Sequence, residues 1–516
     1  MSGAWLHKHG RGDYVDATRL CGLARTAVLP VTVEAAMKKF FRCFTFLLAP
    51  IALVGVSRAD SVRDFGAKGD GQADDTAAIQ RAVNECKDGE LVFPAGDYRV
   101  TKTIEVKLAE RGRLGLRGLG GAARVIMAGA GPAFRFTGTH TGSAFPESFK
   151  PGVWQGERMP LVDSLEIVGA HAEADGLEFF QTMQATLRAV LIRETRHGVR
   201  LPVRNRNVLM DSCHIYNLRG VGVLFDKVNL HQAIIHGSHI SYCKGGGIKI
   251  VGGEIRNFHV TGNDIEYNYD TNATESADIW FDVREGTVRE GTIASNTIQA
   301  KVSPGGANIR FIGNTGTPDK VGLWTITGNH ISNQEVNLHL QNVRGVTVTG
   351  NSFCLGDSRT MLLEGCRNLV VSDNSLDRNP DYFNRQANNG VANGITLRDC
   401  SGIILTGNIV DESSAGSDKE GGAVELFHSH EITITGNQVF EPRWRGIYLT
   451  DSRNVRVSDN LVVDRRTEML MLAPIQVAGH SKAVLIIGNL TTKGVRGDIL
   501  APPFTATLRD NHTAVR

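Results

Sequence analysis

The chain has 516 residues, with 56 Lys+Arg against 54 Asp+Glu, 41% hydrophobic residues, 58 Gly and 15 Pro. That apolar content suffices for a large core and excludes wholesale disorder, and so little Pro excludes collagen-like or Pro-rich linker chains. A net charge of +2, with no long stretch dominated by Lys or Arg, argues against a dedicated nucleic-acid binder.

The first element is an apolar run, Phe40 to Val56, broken by Arg42 and Pro50. Its uncharged part, Cys43 to Ser57, is short for a spanning helix, which needs about 20 residues. Met37-Lys38-Lys39 and Arg42 precede it, and Ser57-Arg58-Ala59 follows with small residues at both ends. This is the layout of a secretory signal peptide cleaved after Ala59, with translation starting at Met37 and residues 1–36 an artefact of start-codon choice. The expected product is secreted, periplasmic or held at the cell surface, with no membrane association after cleavage. Without residues 1–59, which hold eight Lys/Arg and three Asp/Glu, 48 positive groups face 51 negative, net −3. Six Cys remain without a CxxC pair, so zinc or thioredoxin-type chemistry has no support.

Residues 62–100 come next. Asp74-Asp75-Thr76 is placed to cap a helix through Ile79, Val83 and Cys86, ended by Gly89. "LVFPAGDYRV" then reads as strand–turn–strand. A helix here would cover the open end of whatever sheet follows, where strand edges are otherwise unpaired.

From about residue 165 the sequence is periodic. Short Val/Ile/Thr/Leu runs end in Gly-Asn or Asp-Asn, as in "FHVTGNDI", "WTITGNHI", "VTVTGNSF" and "VRVSDNLV". The aligned residues include Asn263, Asn296, Asn329, Asn351, Asn374, Asn408, Asn437, Asn460 and Asn489, with Cys213 and Ser238 earlier in the series. The base period is 22–25 residues, and longer steps carry insertions. No amphipathic helix of ten or more residues intervenes, which excludes βαβ units and helical leucine-rich repeats. The pattern predicts an all-β, single-stranded parallel β-helix over residues 60–516, capped by the short N-terminal helix. Each rung pairs with its neighbours at about 4.8 Å. The Asn column is expected to accommodate a left-handed turn and to hydrogen-bond up and down the stack. Cys366 and Cys400 fall eight residues before their Asn in adjacent rungs, where two stacked apolar thiols are expected.

The N-terminal elements "FGAKGDG", "DDT" and "FPAG" with the following Tyr98 resemble the opening of pectate-lyase-superfamily proteins, shared by polygalacturonases, many exported carbohydrate-active enzymes and phage tailspikes. The resemblance implies a right-handed β-helix of the pectin-lyase-like type that acts on, or binds, polysaccharide. It carries over no catalytic residue. The rungs lack the Asn-Thr-Asp, paired Asp-Asp and Gly-His-Gly of polygalacturonases, and also the Trp-Ile-Asp-His of the best-known pectate lyases.

The strand entering each rung reads Gly-x-apolar-x-apolar, so residues between the apolar ones face outward. One outward column is Glu178, Arg200, Leu224, Lys249, Trp280, Arg310, His339, Leu362, Thr396, Glu425 and Tyr448, and a neighbouring one holds Asp226, Asp282, Gln341, Glu364 and Arg398. The central rungs gather Asp226, Lys249, Trp280, Asp282, Arg310 and His339, and insertions at 267–277, 300–307, 378–393 and 411–421 are placed to wall a groove. Trp280 is expected to offer a flat face to a sugar ring, with Arg200 and Glu178 as further substrate contacts. A lyase would use Lys249 as base, with Arg310, or a Ca²⁺ ion held by Asp226 and Asp282, stabilising the enolate-like charge on a uronate. A hydrolase would use Asp226 and Asp282 as acid and base. They sit two rungs apart, about 9–10 Å by strand spacing, at the wide edge of the roughly 6.5–9.5 Å inverting window. A non-catalytic carbohydrate-binding surface protein is the third class. The acidic Asp264, Glu266 and Asp270 read as a solvated turn, and His231, His236 and His239 as turn residues. Apart from that Ca²⁺ alternative, no metal site or cofactor is expected. The partner is a polysaccharide, and monomer and homotrimer are both open.

Overall fold

A computed structural model describes residues 59–514, apart from 143–144, 149, 380 and 382–390. The candidate signal peptide therefore lies outside the described residues. Among those described, no helix is long and apolar enough to cross a membrane.

The chain winds as a parallel β-helix, as the period predicts. Three short strands make a rung, such as Gly246–Val251, Glu254–Thr261 and Asp264–Glu266. They stack in parallel register on Ser276–Val283, Thr287–Ala294 and Thr297–Gln299 of the next rung. Stacking generates three faces, here called the first, second and third sheets in chain order within a rung. Inward Ile, Val, Leu and Phe from all three form one continuous core. In its middle Phe258, Phe281, Phe311 and Trp324 pack ring against ring, with centroids 4.4–6.2 Å apart. Gly291 has no side chain because Trp324 occupies its place: a Cβ there would lie 2.4 Å from the indole.

The Asn column stands with one of its two expected jobs. Asn351 donates to the Ile326 carbonyl and to Asn374 Oδ1, both at 3.0 Å, while its own Oδ1 accepts from the Asn329 backbone N–H at 3.1 Å and side-chain amide at 2.9 Å. The same pattern runs from Asn263 to Asn489. The left-handed turn belongs instead to the residue before each Asn, as at Gly350 (φ 64°) and Asp373 (φ 55°). That is why the repeats read Gly-Asn or Asp-Asn: Gly and Asp tolerate positive φ, and Asn supplies the ladder.

The N-terminal cap is helix α1 (Thr76–Glu85), which ends three residues before the limit that Gly89 set. Its inner face, Ala78, Ile79, Ala82 and Val83, joins the core. Gln80 closes the exposed edge of the strand Ile104–Lys107, donating to the Glu105 carbonyl at 3.0 Å and accepting its N–H at 2.8 Å. Asp75 makes no side-chain cap. Its carboxylate accepts the Lys68 and Gly69 N–H groups at 2.7 and 2.9 Å, which folds the "FGAKGDG" loop back on the helix start. Gly69 (φ 62°) is pressed against the Tyr98 ring, where a Cβ would lie 2.9 Å away. The six described cysteines are free and buried, including Cys366 and Cys400.

Candidate functional site

The first sheet carries the outward column in the predicted register. Glu178 faces Arg200, then Leu224, Lys249, Trp280, Arg310 and His339. Leu362, Thr396, Glu425 and Tyr448 continue it. Asp226 and Asp282 lie in the neighbouring column, two rungs apart across Val251.

The N-terminal part of the column neutralises itself. Arg135 bridges Glu105 (2.9 Å) and Glu178 (2.6 Å), and Arg200 bridges Glu178 (2.8 Å) and Asp226 (2.6 Å). Glu178 is only 6% exposed. The expectation that Glu178 and Arg200 contact substrate therefore finds them committed to a ladder of alternating charge, the usual device for stacking charged residues across strands.

The central rungs are different. Lys249 makes no hydrogen bond or ion pair among the described residues. Its ammonium lies 3.6 Å from the Trp280 ring centroid, and the Arg310 guanidinium lies 5.7 Å from it. Burial pushes the Lys249 ammonium below its ordinary pKa, opposed by Asp282 and Glu275. The Trp280 face also favours the charged form. Trp280 is 9% exposed and packs between Ala277 and Ala307, so the open face for a sugar ring is not there: the lysine covers it.

Arg310 is 4% exposed. Its Nη2 donates to the Gly305 carbonyl at 2.6 Å and its Nε to His339 Nδ1 at 3.4 Å. The inserted loop 300–307 thus folds over Arg310 rather than standing beside it as a wall, pinned by Glu335 accepting the Gly305 N–H and by Gln334 accepting that of Ser303. Burial lowers the Arg310 pKa, and no carboxylate lies within ion-pair distance of it among the described residues. His339 Nε2 in turn meets Glu364 at 2.9 Å, and that contact holds the Glu364 carboxyl below the usual carboxylate range. Arg310, His339 and Glu364 form a hydrogen-bonded chain that runs from the buried Arg310 to the half-buried Glu364.

What remains open to solvent is a cleft of about 400 Å³ lined by Lys227, Val251, Gly252, Asp282, Arg284 and Glu285. Arg284 holds Asp282 at 2.8 Å and pushes its pKa down. That is the wrong direction for a general acid. Asp226 and Asp282 also do not fit a shared Ca²⁺: they sit two rungs apart and each is tied to its own arginine. Lys227 and Arg284 were passed over in the sequence because they follow the strand pattern at the turn, where no periodicity marks them. A larger cavity of about 480 Å³, near Lys87, Arg113 and Lys150, lies away from this column.

One group of metal-type ligands converges among the described residues. His239, Asp264 and Glu266, on the third sheet, bring ligand atoms within 4.8 Å of one another. Burial and the neighbouring Asp264 raise the Glu266 pKa. Sequence reasoning read these residues separately because they come from two rungs, with His239 stacked on Asp264. His231 and His236 lie on the second sheet, at Asn257 and Thr261.

These features define a parallel β-helix with a basic, partly buried centre on one face. The chain belongs to the right-handed β-helix family, whose model matches residues 154–293 and 279–491. A second model, described as rhamnogalacturonase A/epimerase, pectate lyase-like, matches residues 59–118. Curated relatives match over 44 residues. They are alginate lyase 7 of Azotobacter vinelandii, 50% identical over 8% of this chain and 5% of the relative, and the mannuronan C5-epimerase AlgE3 of the same organism, 52% identical over 8% and 2%. The chain thus spans a small fraction of the length of these relatives. Among solved structures, gene product 12 of bacteriophage phi29 is 12% identical, covers 88% of this chain and 72% of that one, and superposes with a TM-score of 0.50. The AlgE6 A-module of A. vinelandii is 14% identical over 89% and 100%, with a TM-score of 0.32.

Proposed function

We propose that the protein is an exported polysaccharide-active enzyme that cleaves a uronate-containing chain by β-elimination, with Lys249 as base. The observation that carries this reading is Lys249 itself. Among the described residues it is the cation of the first-sheet column with neither ion pair nor hydrogen bond, burial lowers its pKa, and Asp282, which lines an open cleft on that face, acts on it electrostatically. A base needs a pKa drawn toward the operating pH, and burial is the means.

A uronate in the cleft would place its carboxylate against Lys227 and Arg284, whose charge offsets the carbanion delocalised into that group. Neutral Lys249 takes the proton at C5. The C5–H electron pair forms the C4=C5 double bond, and the C4–O4 bond breaks. The departing oxygen takes a proton from the Lys249 ammonium, which resets the base. No bound cation enters these steps. The short matches to an alginate lyase and to mannuronan epimerases, proteins named for polyuronates, agree in kind.

The test is activity of the protein on a panel of acidic and neutral polysaccharides, following 235 nm absorbance and reducing ends together. Absorbance rising with reducing ends, abolished by Lys249→Ala, is expected. Reducing ends without absorbance would mean hydrolysis and would overturn the assignment of Lys249.

A further inference from the structure

The second sheet carries a column of cations that no local stretch of sequence reveals. Arg256 stacks on Arg289, which is followed by Gly322, Arg344 and Arg367. Ser401, His430, Arg453 and Lys482 continue the same column. These nine rungs extend roughly 40 Å at ~4.8 Å per rung. Arg344, Arg367, Arg453 and Lys482 are exposed. Among the described residues only Arg256 and His430 meet a carboxylate, Glu290 at 3.3 Å and Glu431 at 3.7 Å.

Like charges stacked directly across strands are destabilising. The first sheet of this same chain avoids that by alternating Glu and Arg from Glu105 to Arg200. The second sheet does not, although without residues 1–59 the chain is net negative, so the clustering is not a by-product of overall charge. The next outward column runs Thr325, Thr347, Val370, Ile404, Thr433 and Arg456, so hydroxyls and aliphatic side chains both flank the cations. Among the described residues, no Phe, Tyr or Trp faces outward from the second-sheet strands of these rungs.

We infer that this face is a docking stripe for a linear polyuronate lying along the solenoid axis. Such a polymer carries one carboxylate per pyranose ring, at a repeat close to the rung spacing, so cations at rung spacing meet carboxylates along the chain, with Gly322 and Ser401 leaving two of the nine rungs uncharged, and the threonines serve ring hydroxyls. Single-stranded nucleic acid is disfavoured because it needs aromatic platforms between the charges. Duplex DNA is disfavoured because its phosphates recur at ~3.4 Å per strand. The inference goes beyond the cleavage reading and shares only the polymer class with it. The stripe would hold a long chain on one face while the first-sheet cleft works on another segment or another molecule.

The test is fluorescence anisotropy of labelled, size-fractionated mannuronan and polygalacturonate with the full chain, against dextran and oligo-dT of matched length, over a salt series. The variant is Arg344→Gln/Arg367→Gln/Arg453→Gln, at exposed positions without ion pairs. Arg453→Gln/Lys482→Gln is the second variant, and thermal midpoints confirm folding. The triple variant is expected to bind polyuronate at least tenfold more weakly at low salt. Its log K against log salt slope should fall by about two, at ~0.7 per lost contact on a single strand. Cleavage of a uronate trisaccharide should be unchanged. Unchanged polyuronate binding in both variants, equal binding of dextran, or oligo-dT binding as tight as polyuronate would overturn the inference. Because binding is read without turnover, a protein that cleaves nothing on the panel still reports on the stripe, so the two readings fail separately.

Discussion

Asp278 occupies a ladder position where the neighbouring rungs carry Asn. It is 1% exposed, accepts from the Asn268 backbone N–H and side-chain amide at 3.0 and 3.1 Å, and accepts from Asn308 at 3.0 Å. Three donors favour its anion, yet burial prevails and lifts its pKa to about 8. The sign follows from linkage. Below about pH 4 the folded and unfolded chains both hold the proton. Between about 4 and 8 the unfolded chain has released it and the folded chain has not, so stability falls by ~1.4 kcal/mol per pH unit, an upper figure of about 6 kcal/mol in all. Above pH 8 both are ionised and the loss is complete. Asp278→Asn removes this titration. The assay is hydrogen exchange by mass spectrometry on peptides from rungs 260–310 at pH 5, 6.5 and 8, corrected for intrinsic rates, because a long solenoid opens locally rather than all at once. The variant should gain on the wild type by about 4 kcal/mol of local opening free energy from pH 5 to 8. Parallel profiles would refute the reasoning and show that Asp278 is ionised throughout.

Three other outcomes are expected. Asn351→Ala strips a hydrogen bond from the buried Asn329 N–H and another from the Ile326 carbonyl, so at ~1–3 kcal/mol per orphaned group it should cost about 2–6 kcal/mol in local exchange around rungs 326–351. Gly291→Ala drives a methyl into the Trp324 indole and should lower the thermal midpoint by the equivalent of at least ~1–3 kcal/mol of overpacking; a midpoint at the wild-type value would mean the indole repacks freely. Glu178→Ala should cost about 2–3 kcal/mol, at the low side of the range for a broken buried pair because Arg135 and Arg200 are partly exposed and each keeps a second carboxylate. Turnover should not change, and a fall in turnover at an unchanged midpoint would return Glu178 to the substrate.

The fold was legible because its determinants are periodic. One Asn per rung, a positive-φ residue before it and apolar alternation around it recur often enough to fix the register of eleven first-sheet strands. The site was legible only as an address. Sequence placed Lys249, Trp280, Arg310 and His339 on adjacent rungs of one face, and there they stand. It could not say that the loop at 300–307 closes over Arg310, or that Lys249 lies on the Trp280 ring, because both depend on how an aperiodic insertion and a long side chain pack. Outward position in a strand fixes direction, not exposure.

The second-sheet stripe shows the opposite limit. Arg344, Arg367, Arg453 and Lys482 are 23 to 86 residues apart in sequence, then 29, and no window scan for basic clusters joins them. The absence of a Lys/Arg-rich stretch speaks only about local charge density. In a solenoid the relevant density is that of a column, sampled once per rung, so a chain with nearly balanced charge can still present a row of cations at strand spacing. The N-terminal rungs of the first sheet, from Glu105 to Arg200, instead alternate Glu and Arg. Two faces of one repeat therefore handle stacked charge in opposite ways. The face that leaves most of its repulsion uncompensated is relieved by added anions, spaced to match the seven of nine rungs that carry a basic residue. That periodic requirement is a stricter specification than net charge, and a linear polymer of acidic sugars is the chemistry that meets it.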